Sequence, residues 1–317
     1  QTSVKSSEVL LQKIQSQAPD TRALDTTADL PVWNGESTAL YVADIIAETH
    51  DVFTFRFQGD PLCRFEYQPG QYCTFILNIN GKKVLRSYTI SSTPTRPFIL
   101  EVTVKRVPGG LVSNWLPDNL NVGDRVNIAG PKGKFCLQPG AIAKKLLFLG
   151  AGSGVTPMMS MSRWLSDVAA DVDMRFFNSV RGPNDIIFDK EIQLLTSRYR
   201  TFSPVMITSS RETEHWDGYK GRVNKEMLME LAPDIHDRTI YICGPAGFMD
   251  AAKEMILELG FDQTNLHLES FGGARSNAGS DETEAVAGDI KVDFASTGKI
   301  VSTDGKMTLL DFAEAHE

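Results

Sequence analysis

The sequence is poor in cysteine, and its few cysteines are not spaced as ligands of a metal site. Cys63, Cys73, Cys136 and Cys243 form no C-x-x-C pair and have no histidine partner nearby. Structural zinc and iron–sulfur sites draw their ligands from such short spacings. We therefore expect no metal ligands in this chain, and we expect reduced, packed thiols of the kind found in a reducing compartment.

Long apolar runs and an excess of positive charge are also missing. The longest apolar stretches, such as Leu146–Leu149, are far shorter than the roughly 20 residues that span a bilayer. Gln1–Ala18 lacks the basic start and apolar centre of a signal peptide. The net charge is -8, whereas binding to nucleic-acid phosphates needs clustered lysine and arginine. The sequence predicts a cytoplasmic protein that binds neither membranes nor nucleic acid.

Changes of pattern along the 317 residues predict two domains and a fragment of a third. Residues 1–37 are an N-terminal extension with one short helical pattern. Residues 273–288 are small, polar and acidic, which is typical of a linker. Residues 289–317 predict a hairpin and the start of a helix. These elements bury too little apolar surface to be stable alone, so we expect an incomplete third domain.

Residues 38–141 predict a small antiparallel β-barrel. Short segments rich in β-branched and aromatic residues alternate there with Gly, Pro, Asn and Asp turns, and one helical pattern, LVSNWL, interrupts them. The six predicted strands are ALYVADIIAET, VFTFRFQG, QYCTFILNI, VLRSYTISS, FILEVTVKRV and RVNIAGP.

Residues 142–272 predict an α/β domain. Strand-like segments alternate with helical ones, and this alternation indicates a parallel sheet covered on both faces. The predicted strands are KKLLFLGAG, DMRFFNSV, FSPVMITSS and TIYICGP, and the predicted helices are PMMSMSRWLSDVA, DIIFDKEIQLLTSRY, VNKEMLMELA and GFMDAAKEMILELG. Such sheets bind ligands at the carboxyl ends of their strands.

Two motifs in the predicted barrel carry groups suited to a phosphate and a flat ring. In RSYTISS, Arg86 can form two charge-assisted bonds to a phosphate, Tyr88 offers a flat face and Thr89 offers a hydroxyl. In VKRVPGGLVSNWL, two glycines precede a helix start that contains Ser113. Free N–H groups at a helix N-terminus attract a pyrophosphate. Either motif alone also fits an ordinary strand or turn.

Two further motifs lie at strand ends of the predicted α/β domain. LGAGSGVTP places Gly150, Gly152 and Gly154 at a strand-to-helix turn, which is the right context for a nucleotide phosphate, although the spacing differs from G-x-G-x-x-G. YICGPAGFM places Cys243 where a ligand crevice is expected. The ordinary alternatives are a left-handed structural turn and a buried strand-end thiol.

In this order and on these elements, the four motifs together resemble the ferredoxin–NADP reductase superfamily over about residues 39–273. RSYT resembles its flavin motif R-x-Y-[ST], and GAGSGVTP and CGP resemble its two nicotinamide motifs. The joint match is specific, although each part is not. The resemblance implies an FAD-binding β-barrel followed by an α/β domain that binds NAD(P)H.

The resemblance implies how FAD is held. Arg86 would bind the pyrophosphate, Tyr88 would flank the isoalloxazine, and Thr89 would approach flavin N5. Gly110–Ser113 would cradle the pyrophosphate, which favours FAD over FMN. Phe271 would cover the other face of the flavin, although a core aromatic is an equal alternative. The implied FAD-binding set is Arg86, Ser87, Tyr88, Thr89, Val102, Val104, Gly110, Leu111, Val112, Ser113 and Phe271.

The resemblance also implies an NAD(P)H site, with Thr156 and Cys243 near the nicotinamide and, with Thr89, as candidate catalytic residues. Ser210 and Arg211 resemble the NADPH-type pair of plant enzymes, yet no second basic anchor is evident close by. NADH is therefore favoured, and NADPH stays open. The implied set is Gly150, Gly152, Ser153, Gly154, Thr156, Pro157, Arg181, Ser210, Arg211, Cys243, Gly244 and Pro245.

The implied activity is an electron-transfer reductase. Hydride would pass from NADH to FAD, and single electrons would then pass to an iron–sulfur centre and a partner protein, either a Rieske-type oxygenase component or a hybrid-cluster protein. Some members carry a C-terminal plant-type [2Fe–2S] ferredoxin domain, a β-grasp fold. Residues 290–317 resemble its hairpin and first helix, but the cluster's cysteine run is not in this chain. The cluster is thus implied for an intact protein only.

Two alternatives stay open. One is a flavin reductase or oxidase that gives electrons to a small acceptor or to oxygen without a protein partner. The linker at 273–288 and the fragment after it argue against this, because they look built to tether a domain. The other is a nucleotide-binding regulator without activity on the same scaffold. A colourless purified protein would favour the regulator.

The substitution Arg86→Ala tests the flavin motif. It removes the charge-assisted bonds to the pyrophosphate, so we expect the purified variant to retain less FAD than the unmodified protein. The flavin absorbance of the purified protein measures this retention. Unchanged flavin content in the variant would count against the assignment of Arg86.

Overall fold

A computed structural model of the chain describes residues 30–33, 35, 39–138, 140–209, 216–271, 290–294 and 299–303. The chain divides into two compact units, of which the first ends at Phe271 and the second begins at Gly272. The helical pattern of the N-terminal extension, the acidic linker and the final helix predicted from the sequence lie outside the described residues.

The first part of the larger unit is an antiparallel barrel, as predicted. Its strands run in the order β4-β3-β6-β1-β2-β5, and a bridge between Ile90 and Val102 brings the two outer strands together. Helix α1 lies between β5 and β6. The elements are β1 (Ala39–Ala47), β2 (Val52–Asp60), β3 (Tyr72–Ile79), β4 (Lys82–Thr89), β5 (Leu100–Lys105), α1 (Leu111–Asn119) and β6 (Arg125–Lys132).

A two-residue turn sets the register of the strand that carries the RSYT motif. Asn80 and Gly81, which join β3 to β4, have φ angles of 55° and 78°. Asn-Gly suits this turn, whose twist matches that of the flanking strands. The resulting register pairs Tyr72 with Thr89 across the two strands. Thr89 is therefore the last residue of β4.

The second part of the larger unit is a parallel sheet flanked by helices, which confirms the α/β prediction. The strand order is β10-β9-β8-β7-β11-β12. None of the described helices is long and apolar enough to cross a membrane. The elements are β7 (Lys145–Ala151), α2 (Val155–Asp167), β8 (Asp173–Val180), α3 (Asp189–Arg198), β9 (Phe202–Thr208), β10 (Tyr219–Lys220), α4 (Lys225–Leu231), β11 (Thr239–Gly244), α5 (Ala246–Glu258) and β12 (Leu266–Ser270).

Helix α3 begins later than the sequence pattern predicts. Ile186, Ile187 and Phe188 are buried in the core, and Phe188 has a φ of 62°, which no α-helix accommodates. The helix starts only at Asp189. The apolar run packs as a buried loop because its side chains fill the space between sheet and helix.

The barrel has its own apolar core, and it also contributes to one of the two cores that cover the parallel sheet. Leu146 and Phe148 of β7 point into a cluster with α2 and α3, whereas Leu147 and Leu149 point to the opposite face, against α4 and α5. This alternation follows from the two-residue period of a strand. The first cluster also contains Val52 of the barrel. The two parts of the unit are therefore packed against each other rather than merely linked.

The four cysteines are free thiols, and all are buried, as expected for packed residues. Burial raises the pKa of Cys63, Cys73 and Cys136. Neutral thiols therefore fill space in the barrel and its neighbouring segment.

The second unit contains an antiparallel hairpin of β13 (Ile290–Phe294) and β14 (Lys299–Thr303). Its register pairs Val292 with Val301. The hairpin predicted in this segment is thus present in the backbone.

Arg238 ties together the amino ends of the parallel strands. It is almost fully buried, and it donates hydrogen bonds to Asp173 (2.6 Å), to Asp234 (2.8 Å) and to the main-chain oxygen of Leu146 (3.1 Å). Its hydrogen bond, helped by Lys145, lowers the pKa of Asp234 from 3.8 to about 2. This edge of the sheet lies opposite the carboxyl ends.

The substitution Arg238→Met is expected to lower the free energy of unfolding by about 2 kcal/mol, because two carboxylates and a buried carbonyl lose a donor. Since the pKa of Asp234 is depressed, this stabilisation is present above pH 3.8 and is lost as the pH falls toward 2. Urea unfolding at several pH values measures both effects. Equal stability of the variant and the unmodified protein at pH 6 would contradict the assignment.

Candidate functional site

The two motifs predicted to bind nucleotide meet at the carboxyl edge of the parallel sheet. Strands β7 and β11 are neighbours, and Gly150 pairs with Cys243. A Cβ atom added to Gly154 would lie 2.1 Å from the carbonyl oxygen of Cys243. Only glycine permits this approach, whereas Gly152, with a φ of 53°, turns the chain into α2. The structure brings both motifs together at the strand ends, where a parallel sheet forms its ligand crevice.

The start of α2 faces this crevice. Thr156 is buried, and its Oγ1 donates a hydrogen bond to the carbonyl oxygen of Ser153 (2.9 Å). Gly154 provides no side-chain cap. The Val155 amide at the helix start already donates to the carbonyl oxygens of Gly152 and Ser153, and Pro157 has no N–H, so this turn offers a close backbone approach more than a row of free donors.

The remaining predicted nucleotide-binding residues divide between this edge and the undescribed part of the chain. Arg181 is exposed directly after β8, and Pro245 is exposed after β11. Gly244 and Pro157 are buried beside the crevice. The predicted pair at 210 and 211 lies outside the described residues, so its contribution to cofactor choice stays a prediction.

The end of β4 offers polar groups without partners. Arg86 is exposed, and Tyr88 is half-buried with its ring edge-on to Phe75, at 5.6 Å between centroids. Thr89 is 3% exposed, and its Oγ1 has no hydrogen-bond partner in the described part of the chain. A buried hydroxyl without a partner destabilises a fold unless a ligand or water pairs with it. The Thr89 hydroxyl therefore fits the polar edge of a bound ring.

The start of α1 forms a second cradle for an anion. Gly110 precedes the helix and provides no side-chain cap. A Cβ atom at Gly110 would lie 2.4 Å from Oγ of Ser113, which itself accepts a hydrogen bond from the Val107 amide (3.3 Å). The loop is therefore closed around small residues, and the N–H groups of the first helical turn suit a pyrophosphate.

Three residues predicted to bind FAD turn their side chains into the barrel core. Val102, Val104 and Val112 are at most 1% exposed. Strand and helix periodicity sends these positions inward, so only their main-chain atoms are available to a ligand. Leu111 and Ser87 are exposed instead.

Phe271 ends the described part of the larger unit. It follows β12 directly and is 39% exposed. Its exposure argues against the alternative of a core aromatic. A partly exposed ring at this position suits stacking on a flat ligand.

Glu269 is a polar residue of this edge that the sequence reasoning missed. It pairs with Cys243 across β11 and β12, and its Oε2 is buried without a partner among the described residues. Burial raises the pKa of Glu269 to about 7. Burial is the main cause that raises the pKa of the Cys243 thiol, and the nearby Glu269 carboxylate raises it further. The thiol is therefore protonated and packs as a neutral group. The alternation in LHLES predicts Leu268 inward and Glu269 outward, whereas the structure leaves Leu268 exposed and turns Glu269 inward, so no sequence signal could have found this residue.

One cluster of potential metal ligands lies at the edge of the unit, among the described residues. His50, Asp51 and Asp185 bring their ligand atoms within 4.8 Å of one another. Asp51 already pairs with Lys105 (3.0 Å), and Asp185 accepts a hydrogen bond from the Gly182 amide (3.0 Å). Because these carboxylates have partners, we assign no ion there.

Two models of protein families match the chain. Residues 39–136 match the oxidoreductase FAD-binding domain, and residues 148–254 match the oxidoreductase NAD-binding domain. The matched ranges contain the barrel with its β4 motif, and the sheet with both strand-end motifs. These matches agree with the cofactors that the motifs imply.

Similar proteins are reductase subunits. The glycine betaine monooxygenase reductase subunit of Pseudomonas aeruginosa is 42% identical over 272 residues, covering 81% of this chain and 73% of that protein. The stachydrine N-demethylase reductase subunit Stc4 of Rhizobium meliloti is 36% identical, covering 84% and 77%. The solved FAD/NAD-binding domain of nitric oxide dioxygenase from Vibrio cholerae has a TM-score of 0.67 and 26% identity, covering 74% and 99%.

The substitution Gly154→Ala tests the meeting of the two motifs. Its Cβ would collide with a main-chain carbonyl, so we expect a loss of about 2 kcal/mol in unfolding free energy and weaker NADH binding. Urea unfolding and an NADH binding titration measure these effects.

Gly247→Ala is the matched control. It lies in the first turn of α5 near the same edge, but a Cβ there would meet nothing within 4 Å. It is expected to bind NADH normally and to be as stable as the unmodified protein or more so. If both alanine variants had the same unfolding free energy and the same NADH affinity, the close approach at Gly154 would not matter for stability or binding.

Proposed function

This chain belongs to the ferredoxin reductase superfamily of FAD- and NAD-binding oxidoreductases, and on that premise we propose that it is the reductase component of an oxygenase system. Electrons would pass from NAD(P)H through FAD to a partner protein. The observation that carries this proposal is the crevice in which Gly154 touches Cys243, in the same compact unit as the unpaired hydroxyl of Thr89.

The residues present fit FAD. The first N–H groups of α1, after Gly110, and the exposed guanidinium of Arg86 would hold the pyrophosphate. The Thr89 hydroxyl would meet the polar edge of the ring, and Tyr88 would flank its face. Bound there, FAD accepts a hydride and passes electrons on one at a time.

The residues of the crevice would position NAD(P)H. The start of α2 offers the close glycine turn that the Thr156 hydroxyl braces, and the Cys243 thiol is a neutral, packed wall. Phe271 would cover the face of the flavin ring opposite to the face that Tyr88 covers. Hydride transfer needs no acid or base, so positioning and exclusion of water are what the protein contributes. NADH remains favoured over NADPH.

The relatives support an oxygenase component as the electron acceptor. Two of them are named as reductase subunits, of glycine betaine monooxygenase and of stachydrine N-demethylase. Both named substrates are quaternary ammonium compounds, so a Rieske-type oxygenase that demethylates such an amine is our preferred partner. A hybrid-cluster protein is the second candidate. The iron–sulfur centre would belong to the domain that begins with the β13–β14 hairpin.

The first test is a visible spectrum of the purified chain followed by anaerobic addition of NADH, and separately of NADPH. We expect flavin bands that NADH bleaches. Thr89→Val should slow bleaching about 10–100-fold, because a hydrogen bond to the ring edge is lost. Thr196→Val is the control, since it removes a hydroxyl that bonds within α3 to Ile192 (2.7 Å).

Three outcomes would contradict the proposal in different ways. A protein that binds no flavin even after FAD is added would favour the regulator. Flavin bands that neither NADH nor NADPH bleaches would contradict the assignment of the nucleotide-binding crevice. Bleached protein that oxygen reoxidises within the time of a turnover would favour a stand-alone reductase.

A further inference from the structure

Arg163 is a buried arginine of α2 that joins the α/β domain to the barrel. It is 5% exposed, and its Nη1 donates hydrogen bonds to the main-chain oxygen of Ser91 (2.6 Å) and to Glu101 Oε2 (2.8 Å). On its other side, Nε donates to Glu191 Oε1 (2.9 Å), and Nη2 bonds the same carboxylate. The guanidinium lies over the ring of Phe188, 5.0 Å from its centroid.

A second side chain of α2 binds the next residue of the segment that follows β4. Ser160 is fully buried, and its Oγ donates a hydrogen bond to the main-chain oxygen of Ser92 (2.6 Å). The same Oγ accepts a hydrogen bond from the Gly70 amide (3.3 Å). Two successive carbonyl groups of the chain after β4 are thus bound by one face of α2.

These contacts connect the two halves of the proposed reaction site. Ser91 lies two residues after Thr89, whose hydroxyl would meet the flavin. Thr156 lies at the start of α2, the helix that would hold the nicotinamide. Arg163 lies two helical turns further along α2, roughly 10 Å along the helix axis. A helix is stiff over this length. The distance between Thr89 and Thr156 therefore depends on the contacts of α2 with the chain after β4. Arg163–Ser91 is one of them, and Asp167 of the same helix also bonds Thr95 and Arg96.

We infer that Arg163 is a positioning residue for hydride transfer, which sets the flavin end of the barrel against the nicotinamide end of the sheet. The inference rests on the proposed function. Arg163 would touch neither cofactor, and it would act through Ser91 and Glu101.

An arginine is required because the contact needs several directed bonds at once. Glu101 also accepts a hydrogen bond from Arg56 (2.6 Å), and the Ser91 hydroxyl bonds Thr103 (2.9 Å). The planar guanidinium can serve two carboxylates and a carbonyl together, whereas a lysine ammonium is a single point charge. Buried ion pairs add little net stability in general, and they can select one geometry over others.

The chain offers a matched control in Arg238. This arginine is equally buried and also binds two carboxylates and a main-chain carbonyl, but it lies at the amino edge of the sheet. Its contacts lie within the α/β domain. Arg238→Met should therefore reproduce the loss of a buried ion pair without moving the barrel.

The experiment compares Arg163→Met, Arg163→Lys and Arg238→Met in the full chain loaded with FAD. Rapid anaerobic mixing with NADH gives the limiting rate of flavin bleaching and the apparent dissociation constant. We expect Arg163→Met to lower the limiting rate about 10–100-fold with little change in the dissociation constant, and Arg163→Lys to lie between. Arg238→Met should melt at a lower temperature and bleach at the unmodified rate.

A second readout does not depend on activity. Hydrogen exchange of the peptide that covers residues 89–93 should rise in Arg163→Met and stay protected in Arg238→Met, measured without FAD at a temperature where all variants are folded. Bleaching at the unmodified rate in Arg163→Met, or equal effects in both methionine variants, would overturn the inference. If NADH failed to bleach the unmodified protein, the proposed function would fall, and exchange would still decide whether Arg163 holds the strand.

Discussion

The contact on which the arrangement of this molecule depends is the burial of Arg163 between the barrel and the sheet. The guanidinium is taken out of water, so it must find its hydrogen bonds inside the protein, and it finds them on both parts of the unit. An apolar core shared with Val52 surrounds the contact. Apolar packing allows small sliding, whereas directed bonds to a buried cation do not. The relative position of the two cofactor-binding parts follows from this difference.

The two edges of the parallel sheet have different roles. The amino edge contributes stability, and the carboxyl edge carries the groups proposed to bind a ligand. At the amino edge, Arg238 satisfies carboxylates and a strand carbonyl, and the groups are paired. At the carboxyl edge, Glu269 keeps a buried oxygen without a partner in the described part of the chain, and Gly154 holds two loops in contact. In the barrel, the buried hydroxyl of Thr89 at the end of β4 has no partner among the described residues either. Unpaired buried polar groups destabilise a fold, so a ligand that pairs with Glu269 or with Thr89 would stabilise it.

Local sequence patterns were enough to predict much of this structure. Alternation and turn residues predicted the barrel, the Asn80–Gly81 turn among them, and the strand–helix alternation predicted the parallel sheet. They failed where tertiary packing overrides a local period. Ile186–Phe188 continues a helical pattern, but the core takes these side chains as a loop. The pleat also turns the side chains of Val102 and Val104 inward, so their predicted part in flavin binding is left to main-chain atoms and stays a prediction.

The sequence by itself determined the classes of element, the order of the motifs and therefore the family, because these depend on residues close together in the chain. It could not show that Gly154 abuts Cys243, that Glu269 has a buried oxygen without a partner among the described residues, or that Arg163 reaches Ser91. These pairs are distant in sequence. Their meeting depends on strand order and on the packing of barrel against sheet, and only the tertiary structure decides which residues share a buried, water-poor space.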